Sequence, residues 1–136
     1  MDSFEKLKNK KTLLVDDDGL IRDSLTMAFL SRGCDITTVE SAEKGIEMLE
    51  HEHFDIIISD FKLSGMNGID FFKISRMSQN GSINLLISGN IQEDELDNKE
   101  SLGIHQFVEK PFTVMSLAGT LASLIDNREN ILNSMD

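Results

Sequence analysis

The sequence predicts an α/β fold, a doubly wound (βα)5 unit with a five-stranded parallel sheet of order 2-1-3-4-5 and helices on both faces, a three-layer sandwich. Three observations predict it. Segments of two hydrophobic periods alternate along the 136 residues without internal repeat or low-complexity stretch. The short apolar runs are near-continuous and rich in β-branched residues, the pattern of parallel strands buried on both faces. Polar residues with reactive chemistry follow several of those runs, and in an open parallel sheet ligands bind outside the carboxyl ends of the strands.

Taken in order, the first strand is expected at Thr12–Val15, followed by Asp16-Asp17-Asp18. A helix follows with Ile21, Leu25, Ala28 and Phe29 on one stripe, closed by Gly33. The second strand is Ile36–Val39, and Ser41 is a good N-cap for a second helix carrying Ala42, Ile46 and Leu49. The third strand, Asp55–Ser59, runs into Asp60, and a third helix begins near Asn67-Gly68 and buries parts of Ile69, Phe71, Phe72 and Ile74. A fourth strand, Ile83–Ile87, ends at Ser88. The fourth helix, around Glu93–Ser101, has Leu96 nearly alone among acids and is expected to be short and comparatively mobile. The fifth strand, His105–Val108, leads to Lys110, and a fifth helix from about Thr113 turns Leu117, Leu121, Leu124 and Ile125 to the core. Right-handed crossovers between these units put the switch point between strands one and three, which carry the aspartates.

The chain has the size of one domain and leaves no room for a second catalytic one. Residues 1–126 form the expected domain, and 127–136 are a C-terminal tail or an extension of the last helix. Apolar positions continue through Ile131 to Met135, while Asn127, Asn130 and Asn133 favour fraying. No apolar run approaches the roughly 20 residues of a membrane span. The first eleven residues are polar throughout and lack the features of a signal peptide, so a cytoplasmic location is expected. A net charge of −11 opposes direct nucleic-acid binding, which draws on clustered Lys and Arg. Cys34, the one cysteine, excludes an intrachain disulfide and reads as a small buried hydrophobe. His51, His53 and His105 fall short of the convergent ligands of a tight metal site and read as exposed helix-end residues.

The residues at the strand ends are the parts of one phosphoryl-transfer site. An acid cluster can hold a divalent cation and a lone carboxylate can attack phosphorus. A hydroxyl and a lysine can then hydrogen-bond and neutralise phosphoryl oxygens. Four blocks, Leu13–Arg22, Phe54–Gly68, Leu85–Gly89 and Gly103–Phe112, carry these residues in order, each separated by a stretch that suits one β-α unit or slightly more. With them the chain resembles, over essentially its whole length, the receiver (CheY-like) domain of two-component response regulators, whose fold is flavodoxin-like.

The resemblance implies a phosphoprotein of a two-component phosphorelay. Asp60 would accept a phosphoryl group from a histidine kinase or histidine phosphotransfer protein. Mg²⁺ (or Mn²⁺) would be held by Asp17 directly, by Asp16 partly through water, by Asp60 and by the backbone carbonyl of Lys62. Asp18 leaves this register open by one residue, and the end of the apolar run at Val15 puts the acidic pair at 16 and 17. Ser88 would hydrogen-bond the phosphoryl group, Gly89 would leave room for it, and Lys110 would pair with Asp60 and then with a phosphoryl oxygen. The bond before Pro111, the only proline, is typically cis in this family. Ser88 and Phe107 are the expected switch positions, Phe107 standing where tyrosine is common. Lys62 and Asn90 are the expected tuners of acyl-phosphate hydrolysis, and Ser64 replaces a common proline. The chain would be no enzyme beyond self-catalysed phosphotransfer and slow autodephosphorylation. It would signal to a downstream protein through the face of the fourth helix, fifth strand and fifth helix, as a monomer or a phosphorylation-dependent dimer.

Two other readings compete. Leu-Val-Asp-Asp-Asp-Gly-Leu is also similar to the nucleophile loop of haloacid-dehalogenase-type phosphatases, with Asp16 attacking, but it leaves Asp60 unexplained and lacks an acidic motif after Lys110. A phosphorylation-independent interaction module is opposed by the intact set of Asp16, Asp17, Asp60, Ser88 and Lys110. A flavin-binding domain fails on charge, since three aspartates after the first strand would repel a phosphate.

Overall fold

The computed structural model describes residues 2–90 and 98–135. In chain order the elements are α1 (Ser3–Leu7), β1 (Thr12–Val15), α2 (Gly19–Ser31), β2 (Thr37–Val39), α3 (Ala42–His51), β3 (Ile56–Asp60), α4 (Gly68–Ser75), β4 (Ile83–Ser88), β5 (Gln106–Glu109) and α5 (Val114–Ser134). All strand pairs are parallel and the order is β2-β1-β3-β4-β5. The expected fourth helix falls largely on residues 91–97, outside the described residues; residues 98–103 form turns.

Because successive strand side chains point to opposite faces, the sheet divides the core in two. Leu14, Ile56, Ile58, Ile83, Leu85 and Ile87 pack with α1, α2 and α5 residues, chiefly Phe4, Phe29, Leu117, Leu121 and Ile125. Leu13, Val15, Ile57, Leu86 and Phe107 face α3 and α4, packing with Leu49, Phe71 and Phe72. Strands this apolar on both faces can lie only between two helix layers.

The helix ends follow their local chemistry. Ser41, Asn67 and Thr113 cap α3, α4 and α5 with side-chain oxygens that accept backbone N–H bonds. Gly33, at φ 73°, follows the C-cap of α2; its N–H donates to Leu30 O and that of Cys34 to Phe29 O at 2.9 Å, the paired bonds of a Schellman motif. Cys34 is buried behind it and its thiol faces the Phe4 carbonyl.

Three expectations are corrected. The polar N-terminus forms α1, capped by Asp2, with Phe4 and Leu7 buried. Phe4 meets Phe29 edge-on at 5.6 Å, and the Arg32 guanidinium lies over the Phe4 ring at 4.9 Å. The last helix continues to Ser134 in place of fraying at its asparagines. Lys6 pairs with Asp126 at 2.8 Å and Arg128 donates to the Gly81 carbonyl, so tertiary ties override the weak propensity. His105 precedes β5 instead of ending a helix, and its Nδ1 accepts the Asn84 N–H at 2.9 Å.

Candidate functional site

Sheet register brings the reactive residues together. Val15 pairs with Ser59, Asp60 with Ile87, and Ser88 with Glu109. Asp16, Asp60, Ser88 and Lys110 therefore lie along one carboxyl edge although the chain separates them widely. Two backbone bonds extend the ladder past the strands, Phe61 N–H to Ile87 O and Lys110 N–H to Ser88 O, both 2.8 Å. They hold the residues next to Asp60 and after β5 in register.

Asp16, Asp17 and Asp60 each place a carboxylate oxygen within 4.8 Å of the others. Asp16 is wholly buried, Asp60 is 5% exposed, and Asp17 faces solvent. The Asp18 N–H donates to Asp16 Oδ1 at 2.9 Å, whereas Asp16 Oδ2 is buried without a hydrogen-bond partner. Burial raises the Asp16 pKa from 3.8 to about 6; the Asp18 N–H pulls it down, and the nearby Asp60 and Asp17 charges add to the rise. An all-oxygen donor set with one buried, unpartnered carboxylate oxygen suits a hard divalent cation such as Mg²⁺.

Lys110 Nζ lies 3.1 Å from Asp60 Oδ2, a charge-assisted bond that fixes the carboxylate. Beside it opens a cavity of about 400 Å³ lined by Asp60, Phe61, Lys62, Ser88, Gly89, Asn90 and Lys110. Ser88 Oγ accepts the Asn90 N–H at 3.2 Å. A Cβ on Gly89 would meet nothing within 4 Å, so the wall there is open. Lys62 and Asn90 are exposed at the cavity, and Ser64 is an exposed residue of the loop beyond. Phe107 is buried in the α3/α4 face of the sheet and does not line the cavity. The Lys110–Pro111 peptide is cis.

Two residues that close the first two matching blocks, Arg22 and Gly68, have no role assigned from the sequence. A Cβ on Gly68 would lie 2.4 Å from the Asp60 carbonyl oxygen, so only glycine lets α4 start against that strand end. Its N–H donates to Phe61 O at 2.9 Å and closes the loop that carries Lys62. Arg22 reaches back from α2, Nη1 donating to the Asp16 carbonyl at 2.7 Å. Neither role has a local signal, because each depends on a carbonyl presented from outside its own helix.

Comparison with known proteins gives one family. Residues 12–122 match the family described as response regulator receiver domain. The transcriptional regulatory protein FixJ of Bradyrhizobium diazoefficiens is 28% identical over 116 residues, 85% of this chain and 57% of FixJ. The transcriptional activator PfeR of Pseudomonas aeruginosa is 25% identical over 123 residues, 90% of this chain and 40% of PfeR. The chain thus spans about half the length of these relatives. Among solved structures, a CheY-like receiver domain protein from Methanospirillum hungatei superposes with a TM-score of 0.82 at 23% identity, covering 89% of this chain and 97% of that one. The chemotaxis response regulator CheY4 of Vibrio cholerae gives 0.76 at 25% identity, covering 82% and 95%.

Proposed function

The chain belongs to the response regulator receiver domain family, and on that premise we propose that Asp60 is the phosphoacceptor through which it signals. The observation that carries this reading is one carboxylate with four neighbours. Asp60 lies against Lys110, beside the carboxylates of Asp16 and Asp17, and opens on a cavity lined by Ser88.

Members of this family act with histidine kinases and downstream effectors, so the donor is a phosphohistidine on a kinase or a histidine phosphotransfer protein. A carboxylate oxygen of Asp60 attacks phosphorus in line; the O–P bond forms as the P–N bond breaks, and the departing imidazole takes a proton. Lys110, already bonded to Asp60, can then pair with a phosphoryl oxygen. The Ser88 hydroxyl accepts from Asn90, which leaves its own O–H to donate to the phosphoryl group. Asp17, Asp16, Asp60 and the Lys62 carbonyl would hold Mg²⁺ or Mn²⁺, which when bound offsets repulsion between carboxylate and phosphoryl oxygens. The phosphatase alternative is not favoured: Asp16 is buried and the cavity opens on Asp60.

In the same reading residues 1–126 are the receiver unit and 127–136 its C-terminal segment, of which 127–134 prolong the last helix. The protein is cytoplasmic, contacts protein partners and not nucleic acid, and is a monomer or a phosphorylation-dependent dimer. Among the described residues no helix is long and apolar enough to cross a membrane. Its output passes through the Ser88 and Phe107 positions to a surface that includes β5 and α5.

The test is intact mass after incubation with Mg²⁺ and acetyl phosphate. Wild type gains one phosphoryl group and Asp60→Ala gains none; an adduct of equal yield in Asp60→Ala overturns the assignment. Lys62, exposed at the cavity, shields the acyl phosphate from in-line water. Lys62→Ala therefore shortens the phosphoryl lifetime several-fold, read by decay of that mass, and an unchanged lifetime removes Lys62 as a tuner.

A further inference from the structure

The peptide between Asp16 and Asp17 lies just past the end of β1, where no strand ladder holds it. Its neighbours are pinned individually. Asp16 N–H donates to Val39 O at 3.1 Å, Asp18 N–H donates to Asp16 Oδ1 at 2.9 Å, and Asp18 Oδ1 accepts from Leu20 N–H at 2.9 Å. Of the two polar groups of that peptide, the Asp16 carbonyl and the Asp17 N–H, the carbonyl accepts from Arg22 Nη1 at 2.7 Å.

Arg22 is built to make this contact. Its backbone N–H donates to Asp18 O at 3.1 Å, the first α-helical bond after the Asp18 N-cap. Its main chain and its side chain thus hold the two ends of the same aspartate run. The guanidinium lies beside Gly19, where a Cβ would stand 3.4 Å from Arg22 Nη2, an ordinary van der Waals contact. Asp17, the exposed member of the carboxylate cluster, hangs from the peptide so fixed.

We propose that Arg22 is a positioning residue for the metal-binding edge: its hydrogen bond to the Asp16 carbonyl sets the Asp16–Asp17 peptide plane and so the direction of the Asp17 carboxylate. The inference rests on reading Asp16, Asp17 and Asp60 as the cation site. It deepens that reading by adding a residue that touches no cation and acts through backbone. Partners of this outer kind cost about 10- to 100-fold in metal affinity when lost. A role through charge alone has the opposite sign, since a guanidinium near a divalent cation repels it and its removal would tighten binding.

The experiment titrates Mg²⁺ into wild type, Arg22→Met, Arg22→Lys and Asp17→Asn by calorimetry, with the metal-free melting temperature of each measured alongside. Arg22→Met keeps the aliphatic stem and loses the donor. It is expected to bind Mg²⁺ about 10- to 100-fold more weakly than wild type, with Arg22→Lys between the two. Arg22→Met binding as tightly as wild type, or more tightly, overturns the proposal while leaving the cation site standing. Wild type that takes up no Mg²⁺, or Asp17→Asn that binds as well as wild type, overturns the cation site itself and this inference with it. Should Arg22→Met fail to fold, Arg22→Gln, whose amide donor is two bonds shorter, decides the question on the same terms.

Discussion

Asp16→Asn is expected to raise the melting temperature of the metal-free protein at neutral pH and to abolish its stabilisation by Mg²⁺. The cause is a buried charge. Burial holds the Asp16 pKa at about 6, above the ordinary 3.8, so the folded state binds the proton more tightly than the unfolded chain does. The contribution to stability is fully present below pH 3.8 and is lost as pH rises to about 6; above that the ionised carboxylate destabilises the fold. At about 1.4 kcal/mol per pKa unit, the penalty at neutral pH is at most about 3 kcal/mol.

Asparagine keeps the acceptor that Asp18 N–H uses and replaces the unpartnered oxygen with an amide. An amide left unpaired costs about 1–3 kcal/mol, but the Asp17 and Asp60 carboxylates share a 4.8 Å cluster with it, and a small side-chain movement lets one of them accept from the amide. The net gain is expected to be about 2 kcal/mol, or several degrees in melting temperature. The gain should vanish below pH 4, where the wild-type carboxyl is itself neutral. With Mg²⁺ at about 100 times its dissociation constant, wild type gains about 2.7 kcal/mol and overtakes the variant. An Asp16→Asn variant less stable than wild type without metal would show that Asp16 carries no such penalty.

Gly68→Ala should be severe for a single methyl. The added carbon would sit 2.4 Å from the Asp60 carbonyl oxygen and 2.7 Å from Leu86 Cδ1. The leucine can turn aside, but the carbonyl belongs to a strand paired with β4 through Asp60 itself and cannot move alone. The start of α4 must shift instead, stretching the Gly68 N–H to Phe61 O bond and loosening the Lys62 loop. A loss of about 3 kcal/mol is expected, at the upper end for overpacking, read as a lower urea midpoint together with slower labelling by acetyl phosphate. Gly89→Ala is the contrast: its Cβ meets nothing within 4 Å, so stability should stay within about 0.5 kcal/mol of wild type. Equal stability of the two variants would mean that contact at Gly68 does not position Asp60.

What the sequence made legible divides by range of interaction. All five strands were readable to within a residue or so, because a parallel strand buried on both faces has to be a short apolar run. Asp16, Asp60, Ser88 and Lys110 were readable as a group because each closes or follows such a run, and parallel pairing aligns those ends. The cap at Ser41 and the helix starts near Asn67 and Thr113 are local and were equally plain. Helix α1 was not, since two apolar residues in five make no period, and its burial depends on Phe29 and α5. The length of α5 depends on Lys6 and Gly81, far away in the chain. Gly68 and Arg22 matter through carbonyls of β3 and of the turn after β1, which are near in the chain but lie outside their own helices, where no hydrophobic period marks the contact.

The most direct test of the central claim is to locate the phosphoryl group. Wild-type protein treated with Mg²⁺ and acetyl phosphate is reduced with borohydride, which converts an aspartyl phosphate to homoserine, and the modified residue is then found by peptide mass mapping. The geometry at Lys110 and the open cavity predict modification at residue 60 alone. Modification at residue 16 or 17, or none in protein that binds Mg²⁺, would contradict it.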